Sequence, residues 1–84
     1  MNEIREQLRT YIVDNFLFGD DNGLEDSTSF LESGMIDSTG ILEVVSFIEE
    51  KFGITVQDDE LVPDNLDSIG AIANYVMRKQ GVKT

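Results

Sequence analysis

The residues of greatest chemical interest lie at Gly34-Met35-Ile36-Asp37-Ser38, where a polar, loop-like stretch meets an apolar-periodic segment. A serine at the start of a helix projects its hydroxyl clear of the fold, within reach of another enzyme. Esterified to a phosphate, it would set that anion beside unpaired backbone N–H groups and the positive end of the helix dipole. From local pattern alone the same two residues read first as an ordinary helix cap, through Asp37 or through Ser38, and the physics makes Ser38 a candidate and no more. A reciprocal capping box is absent, because the residue three places after Ser38 is Ile41. Chemistry that the chain performs itself is not expected. It contains no His and no Cys, which removes the usual general base for an activated serine, thiolate nucleophiles, disulfides and zinc–thiolate sites. No convergent acid, base and nucleophile set remains, so an enzyme is not expected.

A second cluster, Asp20-Asp21-Asn22-Gly23, invites a calcium reading. Aligning Gly23 with the invariant glycine of an EF-hand puts Phe18 at the first ligand position and Ser29 where a bidentate Glu is needed. The pattern fails at both ends, so an EF-hand is rejected and no dedicated metal site is expected, which leaves adventitious cation binding by the acidic loop open.

The elements that must position Ser38 follow from the spacing of apolar residues. Ile4, Leu8, Tyr11, Ile12 and Phe16 recur at three- and four-residue steps, the stripe of an amphipathic helix. Asn2 is its candidate cap, and its end is expected near Phe18-Gly19. Residues 20–37 read as a long loop anchored by Leu24, Phe30, Leu31, Met35 and Ile36. A second helix is expected from about Ser38 to Phe52, with Ile41, Val44, Val45, Ile48 and Phe52 inward and Gly53 as its stop. Ile54-Thr55-Val56 alternates like a strand without a partner and reads as an extended connector. A short helical turn at Asp58-Asp59-Glu60-Leu61 is closed by Pro63. A last helix, capped by Asp64 or Asn65, then buries Leu66, Ile69, Ile72, Ala73 and Val76. The expected fold is all-α. It is a small four-helix bundle, three main helices and one short, with a long loop between the first two, forming one domain over residues 1–84.

Charge narrows the partners. Seventeen acidic and six basic side chains give a net charge of −11, and no Lys or Arg occurs from Thr10 through Glu50. Nucleic acid would be repelled, and a basic protein partner is favoured. No apolar run is long enough to span a membrane. The opening Met1-Asn2-Glu3-Ile4-Arg5-Glu6 lacks the order of a signal peptide, so a cytoplasmic monomer is expected.

The run Phe30-Leu31-Glu32-Ser33-Gly34-Met35-Ile36-Asp37-Ser38, continued by Thr39-Gly40-Ile41-Leu42-Glu43-Val44-Val45 and closed by Glu49-Glu50-Lys51-Phe52-Gly53-Ile54, resembles the acyl carrier proteins. The likeness extends over most of the chain, to a last helix opening at Asn65-Leu66-Asp67-Ser68-Ile69. It implies a 4′-phosphopantetheine arm on Ser38, transferred from coenzyme A by a phosphopantetheinyl transferase, with acyl or aminoacyl groups held as thioesters. It also implies partners that dock basic patches against the acidic second helix, which makes Asp37, Thr39, Glu43, Glu49 and Glu50 the candidate docking residues. Carriers of fatty-acid synthesis usually have Leu and then an acidic residue after the serine, where this chain has Thr39 and Gly40. Phe47 stands where those carriers tend to have a small residue, which argues against a capacious acyl cavity. The stretch before Ser38 is closer to D-alanyl and other stand-alone carriers. The resemblance therefore implies a dedicated carrier loaded by an adenylate-forming ligase, in lipid or secondary-metabolite synthesis. The alternatives are a fatty-acid-synthesis carrier served by acyltransferases and synthases, and an unmodified acidic adaptor in which Ser38 is dispensable.

Overall fold

A computed structural model describes residues 2–19 and 23–81. Helix α1 spans Asn2–Phe16, α2 Phe30–Ser33, α3 Ser38–Phe52, α4 Pro63–Leu66 and α5 Ile69–Gln80, with a 3₁₀ turn at Asp58–Glu60. The long helices α1, α3 and α5 carry the bundle, and the short ones are single turns within connections. No strand occurs among the described residues, and residues 54–56 are extended.

The apolar stripes meet as their spacing requires. Leu8 and Ile12 of α1, Val44, Val45 and Ile48 of α3, and Ile69, Ile72, Ala73, Tyr75 and Val76 of α5 are buried together. The connections add Leu24, Phe30, Ile36 and Leu66 to the same core. Gly53 ends α3 in the left-handed region (φ 68°), its N–H donating to the Glu49 carbonyl, a conformation glycine adopts without the clash a Cβ would cause.

Several boundaries differ from expectation. Asn2 already lies inside α1, in place of the capping position. That helix stops at Phe16, two residues early, where Gly19 N–H donates to the Val13 carbonyl (2.9 Å) and Phe18 takes a left-handed φ of 56°. The last main helix begins at Ile69 rather than beside Asp64 or Asn65. Pro63 starts a separate turn, α4, and Ser68 caps α5 by accepting the Ala71 N–H (3.1 Å). Asn65 has another task, its side-chain amide donating to the Glu60 carbonyl (3.0 Å). Leu31, expected as a core anchor, is 43% exposed. It points outward because the one-turn helix α2 has only one face to bury, and Phe30 takes it. The expected turn at residues 20–23 lies largely outside the described residues.

The loop between α1 and α3, anchored in the core by Leu24, Phe30 and Ile36, is also held by polar ties. Arg9 donates to the Leu24 carbonyl (2.7 Å) and pairs with Asp26 (3.0 Å), which Arg5 also approaches (3.6 Å). The Gly70 N–H donates to the Asp26 carbonyl (2.9 Å), an approach so close that a Cβ on Gly70 would stand 3.2 Å from that oxygen. Asp67 fixes the start of α2. Its carboxylate accepts the Leu31 N–H (2.9 Å) and the Ser29 hydroxyl, and its carbonyl accepts the Phe30 N–H (2.8 Å).

Candidate functional site

Asp37 and Ser38 divide the two roles that the sequence left open between them. Asp37 is the cap of α3: its backbone is extended (φ −90°, ψ −177°) and its carboxylate accepts the Gly40 N–H at 2.8 Å. Ser38 is then the first helical residue. It is exposed, and its hydroxyl makes no hydrogen bond among the described residues. The Ile41 N–H is satisfied by the Asp37 carbonyl (2.9 Å), which leaves the Ser38 and Thr39 amides as the donors of the helix start without a partner among the described residues. An anion esterified to Ser38 would sit at the positive end of a 15-residue helix.

Ser38 also borders a cleft of about 270 Å³ whose walls are mostly apolar, with Asp67 as the other polar residue in its lining. Ile41 and Leu42 line it from α3, Leu31 from α2, and Leu61, Val62 and Leu66 from the opposite connection. Leu31, Leu42, Leu61 and Val62 are 37–55% exposed, so four large, partly exposed apolar side chains line the same cleft as the unbonded hydroxyl. Their role as cleft walls escaped the sequence reading, which took Leu31 for a core anchor. The available signal was Leu42, an apolar residue off the buried stripe of its helix, and the Leu61-Val62 pair in a polar connection.

Phe47, expected to obstruct such a space, does not line it. Its ring stacks on Tyr11 of α1, centroids 4.0 Å apart at 12°, with Phe52 edge-on at 6.2 Å. The argument against an acyl cavity that rested on Phe47 therefore fails. Gly40 is explained by packing: a Cβ there would stand 2.5 Å from Ile36 Cγ2 and 3.0 Å from Phe16 Cε1.

The expected docking residues fall in three settings. Thr39, Glu43 and Glu50 are exposed and recur at helical spacing, so they share one face of α3 that starts beside Ser38. Asp37 is committed to the cap. Glu49 is half-buried and accepts the Val56 N–H (2.9 Å), which ties the extended connector to α3. Among the described residues no group of acidic side chains is placed to hold a metal ion, and no helix is long and apolar enough to cross a membrane.

A family model described as a phosphopantetheine attachment site matches residues 6–76. The chain belongs to the acyl carrier protein family. It is similar to an acyl carrier protein of Akkermansia muciniphila, 34% identical over 80 residues that cover 95% of this chain and 96% of that one. An acyl carrier protein of Lactobacillus acidophilus is 28% identical over 79 residues, covering 94% and 95%. The probable acyl carrier protein PigG of a Serratia species is 25% identical over 75 residues, covering 89% and 86%. Among solved structures, the solution structure of a holo acyl carrier protein from Nitrosomonas europaea superposes with a TM-score of 0.76 at 26% identity, covering 94% of this chain and 98% of that one. The small helical bundle is thus the fold of carriers, and 4′-phosphopantetheine is the cofactor of this family. The residues around Ser38 fit such a group: a hydroxyl and two amides without a partner among the described residues, and an apolar cleft alongside.

Proposed function

We propose that Ser38 carries the 4′-phosphopantetheine arm and that the chain is a dedicated stand-alone carrier, loaded with an acyl or aminoacyl group by an adenylate-forming ligase. The observation that carries the attachment site is the division of labour at the start of α3. Asp37 takes the cap, so the adjacent hydroxyl is left exposed and unbonded beside the cleft. When bound, the arm supplies a thiol that holds cargo as a thioester, a group this Cys-free chain lacks. The chain's own residues present it. Ser38 fixes the point of attachment, the helix start favours the phosphodiester, and Leu42, Leu61 and Val62 offer an apolar surface to the arm or its cargo. Tethering keeps the cargo at high effective concentration for successive enzymes.

Docking through Thr39, Glu43 and Glu50, with Asp37 at their head and Glu49 at their flank, belongs to the same reading. Basic partners would be steered to a face that carries no Lys or Arg until Lys51. The case for a ligase over fatty-acid enzymes rests on Thr39 and Gly40. The position that is acidic in fatty-acid carriers is here a buried glycine beneath Phe16 and Ile36, with no side chain to offer a partner. The apolar cleft favours the second reading, a carrier of fatty acyl chains.

The attachment is tested by intact mass after incubation with coenzyme A and a broad-specificity phosphopantetheinyl transferase. Wild type should gain one phosphopantetheine and Ser38→Ala none, with both proteins folded. A gain in Ser38→Ala would move the site elsewhere. No gain in either, beside a carrier that is modified, would leave the acidic-adaptor reading.

A further inference from the structure

A groove of about 570 Å³ runs between α1 and the C-terminal half of α3 and shares no residue with the Ser38 cleft. Phe47 and Ser38 are nine positions apart, about 13 Å along the helix axis. The partly exposed Tyr11–Phe47 stack contributes its aromatic surface, and Glu3, Glu6 and Asp14 of α1 are exposed along it. Lys51 is the one cation in its lining. Among the described residues no ion pair engages any of those three carboxylates: the pairs formed are those of Asp26 with Arg5 and Arg9, and of Glu60 with Lys79. Gln7 lines the groove beside Tyr11, its Oε1 covered and accepting no hydrogen bond among the described residues.

We propose that this groove is a second docking surface, and that its occupant is an arginine-bearing segment of a partner protein. Guanidinium groups suit each feature. They pair with carboxylates in a fork and pack against aromatic rings. Charge disfavours the other occupants: nucleic acid, an anionic membrane surface and a second copy of a chain of net charge −11 would all be repelled. Because the groove is remote from Ser38, a partner held there would leave the attachment site open to another enzyme. The groove would tether the carrier, and the effective concentration of its cargo near that partner would rise.

The test uses the full 15N-labelled chain and a synthetic helical peptide presenting two arginines four residues apart, so that both lie on one face. Amide shifts should concentrate at Gln7, including its side-chain NH₂, and at Tyr11 and Phe47. Glu6→Gln combined with Asp14→Asn removes two exposed carboxylates without touching the core, and should weaken binding by about tenfold, as two exposed ion pairs imply. Ser38→Ala should bind as wild type does, which separates this surface from the attachment site. A peptide with glutamates in place of the arginines should not bind. Shifts centred on Thr39, Glu43 and Glu50, or affinity unchanged in the double variant, would overturn the proposal. So would shifts that grow without saturating.

Discussion

Two of the three Asp-Ser pairs in this chain show how much one side chain's contacts decide. At Asp37-Ser38 the aspartate caps the helix and the serine is left free. At Asp67-Ser68 the serine caps α5, and the aspartate reaches across to hold Ser29 and the Leu31 amide. Both pairs precede an apolar stripe, so residue identity alone cannot say which member caps. That is why Ser38 was legible as a candidate while Asp67 was not singled out as the residue that pins the loop. Gly40 carries a prediction at this scale. Helix propensity alone would make Gly40→Ala stabilising by about 1 kcal/mol. The added methyl, however, meets a branched carbon of Ile36, a residue only 2% exposed, at 2.5 Å. Overpacking of this kind costs about 1–3 kcal/mol. Urea denaturation should therefore show Gly40→Ala less stable by about 1 kcal/mol, and a more stable variant would mean that Phe16 and Ile36 yield freely.

At the scale of elements, the connection between α3 and α5 is built around one carboxylate. Glu60 Oε1 accepts the Gln57 N–H (3.1 Å), the Tyr75 hydroxyl (2.9 Å) and the Lys79 ammonium (2.9 Å). The Gln57 amide, then Lys79, then Tyr75, hold its pKa down to about 2. Burial first, and then the bond to Glu60, push the Tyr75 phenol up to about 12. A carboxyl whose pKa is depressed in the folded state contributes stability that is complete above its unfolded value near 4.5 and is lost as pH falls towards 2. The stability difference between wild type and Glu60→Gln should therefore be constant near neutral pH and shrink between about pH 4.5 and 2. Parallel curves through that window would show that Glu60 adds nothing by its charge. The same 3₁₀ turn leads into Leu61 and Val62, the far wall of the Ser38 cleft, so the latch also bears on the site. The three long helices were readable from periodicity because each buries a continuous stripe. The single turns α2 and α4 were not, since four residues make too short a stripe and their contacts come from distant residues such as Asp67. The start of α5 was misplaced for a related reason. Asp64 and Asn65 are good caps by type, but Pro63 had already begun a separate turn.

Over the whole molecule, the dominant long-range force is repulsion. Seventeen acids face six bases, and three of those bases, Arg5, Arg9 and Lys79, are engaged with Asp26 and Glu60. Salt therefore acts in two directions. It screens a few attractive pairs, whose partly exposed settings limit each to about 0–1 kcal/mol, and it screens a much larger set of like-charge interactions across a molecule of net charge −11. The second effect should win. The stretch from Thr10 through Glu50 contains ten acids and no base, and of these only Asp26 is held in an ion pair among the described residues, so screening there relieves more repulsion than it costs in attraction. A gain of about 1 kcal/mol in a domain of this size corresponds to a rise in Tm of about 4–8 °C. Thermal melts in rising NaCl should show an increase of that order, levelling once the Debye length falls below the spacing of the acids. Glu6→Gln combined with Asp14→Asn should shorten the rise, because each removes a repulsive charge that forms no ion pair among the described residues. A midpoint that fell with salt would assign the larger share of the electrostatic energy to the three ion pairs and would reverse the sign argued for the acidic surface.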